Sequence, residues 1–215
     1  VTCPGHFTIS DESDLAAIYP RENITGDLVF DFLGWLTTID LPLLTTVGGD
    51  VTIENNIALG SVDLSVEANG ALPSLDELTA LVSVDGDVSL NGNGALTSLA
   101  GLGGLESIGD SLLVCSNPIL TDLDVLMSLT SVDGDVSLYG NAALTSLAGL
   151  SGLESIGDSL SVSSNPILTD LGGLMSLTSV DGVTVTNNAT LATLDGLPDL
   201  QSLAHSLVVE SNPSL

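Results

Sequence analysis

The chain has 215 residues, 44% of them apolar but only 3% aromatic, and its 28 acidic residues face a single Arg21 and no lysine, for a formal net charge of −27. That balance excludes nucleic acid and anionic membrane surfaces as partners, because both are held by lysine and arginine. No apolar run reaches the roughly 18 residues of a membrane span, and the opening VTCPGHF lacks the charged and apolar regions of a leader; no membrane anchor is expected, and any secretory signal has been removed.

Residues 1–25 read as an N-terminal cap. Ser10 and Ser13 precede Asp14-Leu-Ala-Ala-Ile-Tyr, and Pro20 stops the run, which is the pattern of a short helix with an acidic first turn. From Gly26 an eight-residue unit recurs nine times: GDLVFDFL at 26, GDVTIENN at 49, VDLSVEAN at 62, GDVSLNGN at 86, DSLLVCSN at 110, GDVSLYGN at 134, DSLSVSSN at 158, DGVTVTNN at 181 and HSLVVESN at 205. Its third and fifth positions are apolar and its second, fourth and sixth mostly polar, the alternation of a half-buried strand.

The eighth position is asparagine in all units but the first: Asn56, Asn69, Asn93, Asn117, Asn141, Asn165, Asn188 and Asn212. A buried column of amides is expected there, satisfying backbone groups where each coil leaves the sheet. Between asparagines an apolar residue comes every third position, as in Leu96, Leu99, Leu102, Leu105 and Ile108. That spacing predicts short 3₁₀ or extended turns on the returning side. Gly86–Asp133 and Gly134–Asp181 are one 48-residue block written twice with seven differences, and each block divides into 24-residue halves. The spacing predicts a mainly β solenoid with one parallel sheet of about nine short strands, in one domain over 26–215. A short coil near 57–69 is either a truncated turn or a local hairpin, and the C-terminal end is open.

The pattern V-x-L-x-x-N-x-x-L-x-x-L-x-x-L-x-x-L-x-S-I-G resembles leucine-rich repeats, and more closely the receptor L-domain type found in growth-factor-receptor ectodomains and in bacterial and fungal surface proteins. The opening, with Cys3-Pro-Gly, Ile9-Ser10, Asp14-Leu15 and Ile24-Thr25-Gly26-Asp27-Leu28, is similar to that family's N-terminal cap and first strand. The resemblance implies a right-handed leucine-rich-repeat solenoid with a helical cap. The family pairs its first cysteine with a second near the end of the cap helix, and Ala17-Ile18-Tyr19-Pro20 offers none.

Stacked strands place equal unit positions in rows. The second-position row runs Asp27, Asp50, Asp63, Asp87 and the sixth-position row Asp31, Glu54, Glu67, Asn91, so seven carboxylates share one face and make a candidate low-affinity Ca²⁺ site beside the alternative of a hydrated, salt-screened surface. No other cofactor is expected. The fourth-position row, Val29, Thr52, Ser65, Ser89, Leu113, Ser137, Ser161, Thr184 and Val208, is flat and small, suited to ice, carbohydrate or peptide. Cys3 and Cys115 lie several coils apart, as free thiols or intermolecular bridges, and Asn23 and Asn188 head glycosylation tripeptides. Gly-Asp-Ser-Leu at Gly109 and Gly157 matches an esterase string but lacks a recurring histidine, so no enzyme is expected. These features predict an extracellular, secreted or surface-associated scaffold that meets protein or carbohydrate at a surface, or copies of itself end to end as a filament.

Overall fold

The structure, a computed structural model, describes residues 81–197 and 203–215 continuously, together with positions 74, 75 and 78 and short strands before them. Its frame is a stack of parallel coils. The main sheet has eight strands in the order Leu207–Glu210, Gly182–Thr186, Ser159–Ser163, Val136–Tyr139, Leu112–Cys115, Val88–Asn91, Asp63–Glu67 and Thr38–Ile39. From Val88 to Leu207 each strand pairs with its neighbour without a slip, Val88 opposite Leu112, Leu112 opposite Val136, Val136 opposite Leu160, Leu160 opposite Val183 and Val183 opposite Leu207. A second ladder of two-residue strands, Ser83–Val84, Ser107–Ile108, Ser131–Val132 and Ser155–Ile156, stacks the far side of the same coils.

The three-residue leucine spacing is explained by the hydrogen bonds of the returning side. Leu96 N–H donates to Asn93, Leu102 to Leu99 and Leu105 to Leu102, and the following coils repeat the set. A three-residue turn brings every third side chain to one side, so Leu96, Leu99, Leu102, Leu105 and Ile108 are all buried. Four 3₁₀ segments result, Ala100–Leu102, Asp124–Ser128, Ala148–Leu150 and Gly172–Leu174. A side chain two residues ahead opens each turn by accepting a backbone N–H: Ser98 for Ala100, Asp122 for Asp124, Ser146 for Ala148 and Asp170 for Gly172. Each leucine withdrawn from water contributes about 1.5–3 kcal/mol, and the core is one continuous column of them.

Two expectations are corrected. The strands do not form one sheet of nine: Leu28–Asp31 pairs with Phe7–Ile9 on one side and Val51–Glu54 on the other in a separate three-stranded sheet, and Asp63–Glu67 lies beside Thr38–Ile39 instead of Val51–Glu54. The reason is contour length. Thr38 and Asp63 are 25 residues apart, one full coil, whereas Val51 and Leu64 are separated by 13, too few to circle a core of this girth. The second correction concerns where pairing starts. Thr2–Cys3 and Phe7–Ile9 are strands parallel to Asn23–Ile24 and Leu28–Asp31, so ladder pairing begins well before Gly26. The helix expected between Ser10 and Pro20 lies outside the described residues.

Among the described residues, the one before each ladder asparagine from Asn93 to Asn212 has a positive φ: Gly92 and Gly140 at 70°, Ser116 at 56°, and Ser164, Asn187 and Ser211 at 58°. The left-handed conformation turns the chain off the sheet, and serine there carries a steric cost that glycine lacks. Ser164→Gly is therefore expected to raise stability by about 0.5–1 kcal/mol, read as a shift of the urea midpoint without a change in slope. Ser164→Val should lower it.

Candidate functional site

The asparagines fix everything outside them. Asn93, Asn117, Asn141, Asn165 and Asn188 have no solvent exposure and stand in one column. Each backbone N–H donates to the Oδ1 of the next asparagine, Asn93 to Asn117, Asn117 to Asn141, Asn141 to Asn165, Asn165 to Asn188 and Asn188 to Asn212, at 2.9–3.1 Å. Each Nδ2 reaches back to a strand carbonyl of the preceding coil, Asn117 to Leu90, Asn141 to Val114, Asn165 to Leu138, Asn188 to Val162 and Asn212 to Val185. These two bonds of each side chain point toward the N-terminal neighbour, and Asn117 Nδ2 adds a longer one, 3.4 Å, to Asn141 Oδ1. Among the described residues no buried side-chain nitrogen or oxygen lacks a partner. Asn56 and Asn69 lie outside the described residues.

This column corrects one modification site. Asn188 spends both ends of its amide on Asn165 and Val162 inside the core, so a glycan on it would require the coil to open. Asn23 pairs in a short strand with Thr2 and Thr46.

Outside the column the sheet presents three rows. Positions Asp63, Asp87, Ser111, Asp135, Ser159, Gly182 and Ser206 make the first; Ser65, Ser89, Leu113, Ser137, Ser161, Thr184 and Val208 the second; Glu67, Asn91, Cys115, Tyr139, Ser163, Thr186 and Glu210 the third. The Val29 and Thr52 of the hydroxyl row oppose each other in the separate sheet, which interrupts the row expected from Val29 to Val208. The seven carboxylates are divided in the same way. Asp31 opposes Glu54 in one sheet and Glu67 opposes Asn91 in the other, while Asp27 and Asp50 lie outside the described residues. Among the described residues no three acids, histidines or cysteines converge as metal ligands.

Several of these acids have structural partners. Asp87 accepts the Ser111 N–H and Asp135 the Ser159 N–H, both at 2.8 Å, so the aspartate of each Gly-Asp-Val strand clamps the serine of the following Gly-Asp-Ser-Leu. Glu67 accepts the Ser89 hydroxyl. Ser111 Oγ in turn accepts the Asp135 N–H. His205 stands 3.7 Å from Asp181 at the surface, and its Cβ and the Ser159 Oγ both lie beside Gly182, from the coils after and before it, whereas Ser111 of the other esterase-like string is two strands further along the sheet.

Sequence reasoning missed the arrangement of acids at the corner entering the sheet. Backbone bonds stack Gly86, Asp110, Gly134, Asp158 and Asp181 in one column, while Asp87 and Asp135 in the next column alternate with Ser111 and Ser159. Alternate coils thus carry their carboxylates one residue out of step from Asp85 to Asp158, and like charges in a column stand two coils apart, about 10 Å instead of about 5 Å. The signal was present in the one-residue offset between VDGDVS and SIGDSL. The remaining repulsion should respond to salt. Raising sodium chloride from about 10 mM to about 0.5 M is expected to stabilise the chain by at least about 1 kcal/mol, a melting shift of about 2–4 °C.

Cys115 is a free, half-buried thiol whose Sγ lies 3.8 Å from the Ser137 carbonyl oxygen. Cys3 sits in its short strand opposite Ile24. No helix among the described residues is long and apolar enough to cross a membrane. The class these observations define is a mainly β, parallel-strand solenoid with an internal amide ladder and an ordered polar sheet face. In comparisons with protein-family models, curated proteins and solved structures, nothing matches the chain.

Proposed function

We propose that the chain is a right-handed leucine-rich-repeat solenoid of the receptor L-domain type, with a helical N-terminal cap, serving as a non-enzymatic extracellular scaffold in surface structure or adhesion. The family reading is supported by the apolar residue at every third position, its 3₁₀ turns and the asparagine closing each strand. The functional reading rests on one observation: outward side chains from Asp63 to Glu210 are short, mostly polar and held in unbroken register, a rigid surface laid over a column that is satisfied internally. Such a face recognises by fit and hydrogen bonding without moving, which limits the ordering cost of binding.

A test uses arrays of peptides and oligosaccharides probed with the wild-type chain and with Ser137→Arg/Ser161→Arg, which places two long cations in the middle of the face. Ligands captured by the wild type and lost by the variant support the reading. Capture that is identical for the two proteins removes the sheet face from the function.

A further inference from the structure

The two 48-residue blocks differ at seven positions, and three of these, Asn91 against Tyr139, Leu113 against Ser161 and Cys115 against Ser163, fall on the outward sheet face. Their placement is not scattered. Leu113 and Cys115 are outward neighbours on one strand, about 6.7 Å apart, and Cys115 stands directly opposite Tyr139 on the next, about 4.8 Å away. Tyr139 is 51% exposed, and Leu113 and Cys115 are half-buried. Serine, threonine and asparagine occupy the equal positions on the strands to either side, Ser89, Asn91, Ser161, Ser163, Thr184 and Thr186. An apolar and aromatic spot therefore sits where the two blocks meet, Leu113 and Cys115 from the first and Tyr139 from the second, in an otherwise polar face.

Charge decides what can cover it. Asp87 and Asp135 lie in the adjacent row on the strands before and after Leu113, about 10 Å apart, and each is held in place by a backbone N–H. A second copy of a chain with net charge −27 is repelled, as is any anionic polymer. A cationic segment is drawn in. An extended polyproline-type chain running along the solenoid axis repeats side chains of one face every three residues, about 9.3 Å, close to the distance between the two aspartates.

We infer that the Leu113–Cys115–Tyr139 patch, flanked by Asp87 and Asp135, is the docking surface for an extended basic peptide segment of a partner protein, its arginine or lysine side chains meeting the two aspartates and its apolar side chains seated on Leu113 and Tyr139. This deepens the reading of the sheet as a binding face and rests on it. An arginine over the Tyr139 ring adds a cation–π contact.

The duplicate supplies the test. Leu113→Ser/Cys115→Ser/Tyr139→Asn installs residues that the other block already carries at the same positions, leaving the net charge unchanged. Binding of wild type and triple variant is measured by calorimetry at about 0.15 M salt against acetylated, amidated peptides of four Arg-Pro-Leu repeats and of four Arg-Pro-Ser repeats. The wild type is expected to prefer the leucine peptide at least tenfold, and the triple variant to bind both alike. Absence of that preference in the wild type, or its persistence in the triple variant, overturns the inference and assigns peptide binding to bulk charge. If the wild type ignores both peptides while the arrays still show ligands lost with the double arginine variant, the basic-peptide partner falls and the adhesive face stands. If the arrays show no such loss, both fall.

Discussion

Asn141→Ala is expected to lower the unfolding free energy by about 2–6 kcal/mol, while Asn212→Ala costs well under half of that. The Asn141 side chain accepts the Asn117 N–H at 3.0 Å and donates to the Val114 carbonyl at 2.8 Å, and it has no solvent exposure. Alanine leaves that N–H and that carbonyl stranded between two coils, each with a desolvation cost of about 1–3 kcal/mol and no water to offset it. Asn212 makes the equivalent bonds to Asn188 N–H and Val185 O but is part-exposed on the strand at the end of the sheet, where water can replace it. Because each coil touches only its neighbours, a defect in the middle of the stack weakens both of its interfaces and should split the urea transition. Equal costs at Asn141 and Asn212 would mean that the amide column is a bystander. Hydrogen exchange gives the second readout, with protection lost first at the Asn117 N–H in the Asn141 variant.

How much of this was legible beforehand differs from residue to residue for physical reasons. The asparagine column and the leucine spacing could be read because burial restricts both: only an amide satisfies a donor and an acceptor at that corner, and only a large apolar residue fills the returning side. The left-handed residue was harder. Glycine, serine and asparagine all stand at that position, so no single letter recurs, although all are small or tolerant of positive φ. The register of the first strands was misread because the units at 49 and 62 both fit the strand pattern, while Thr38–Ile39, the true neighbour of Asp63–Leu64, lies in a segment, TTIDLPLL, without the eight-residue signature. The outward face was least legible of all. No packing constraint selects its residues, and the cluster of Leu113, Cys115 and Tyr139 appears only once register pairs Cys115 with Tyr139 and the duplicate is laid against it.

A single methyl group at Gly149 should be nearly as disruptive as losing a ladder amide. An added Cβ there would come within 1.6 Å of the Leu123 carbonyl oxygen in the preceding coil, and the same approach recurs at Gly101, Gly173 and Gly196, each against the leucine carbonyl of the coil before it. The atom in the way is backbone, so relief requires two coils to move apart and the leucine columns to lose contact. Gly149→Ala is accordingly expected to cost about 3 kcal/mol, the upper part of the range for overpacking. Gly103→Ala is the matched control. Its φ of −65° and ψ of −18° are ordinary right-handed values, its nearest obstacle is the Ala100 oxygen at 3.4 Å, and the duplicate block carries Ser151 at the same position. Alanine at 103 should be neutral or stabilise by up to about 1 kcal/mol through the unfolded chain. Val125 occupies the glycine column in the one intervening coil, where the 3₁₀ segment lengthens to Asp124–Ser128 and Leu126 departs from helical geometry, so the stack admits a side chain there only by reshaping the turn. Chemical denaturation of Gly149→Ala, Gly103→Ala and Val125→Gly separates the cases: a large loss for the first and small effects for the other two follow from close coil contact. A Gly149→Ala protein as stable as Gly103→Ala would show that adjacent coils stand further apart than the leucine carbonyls place them.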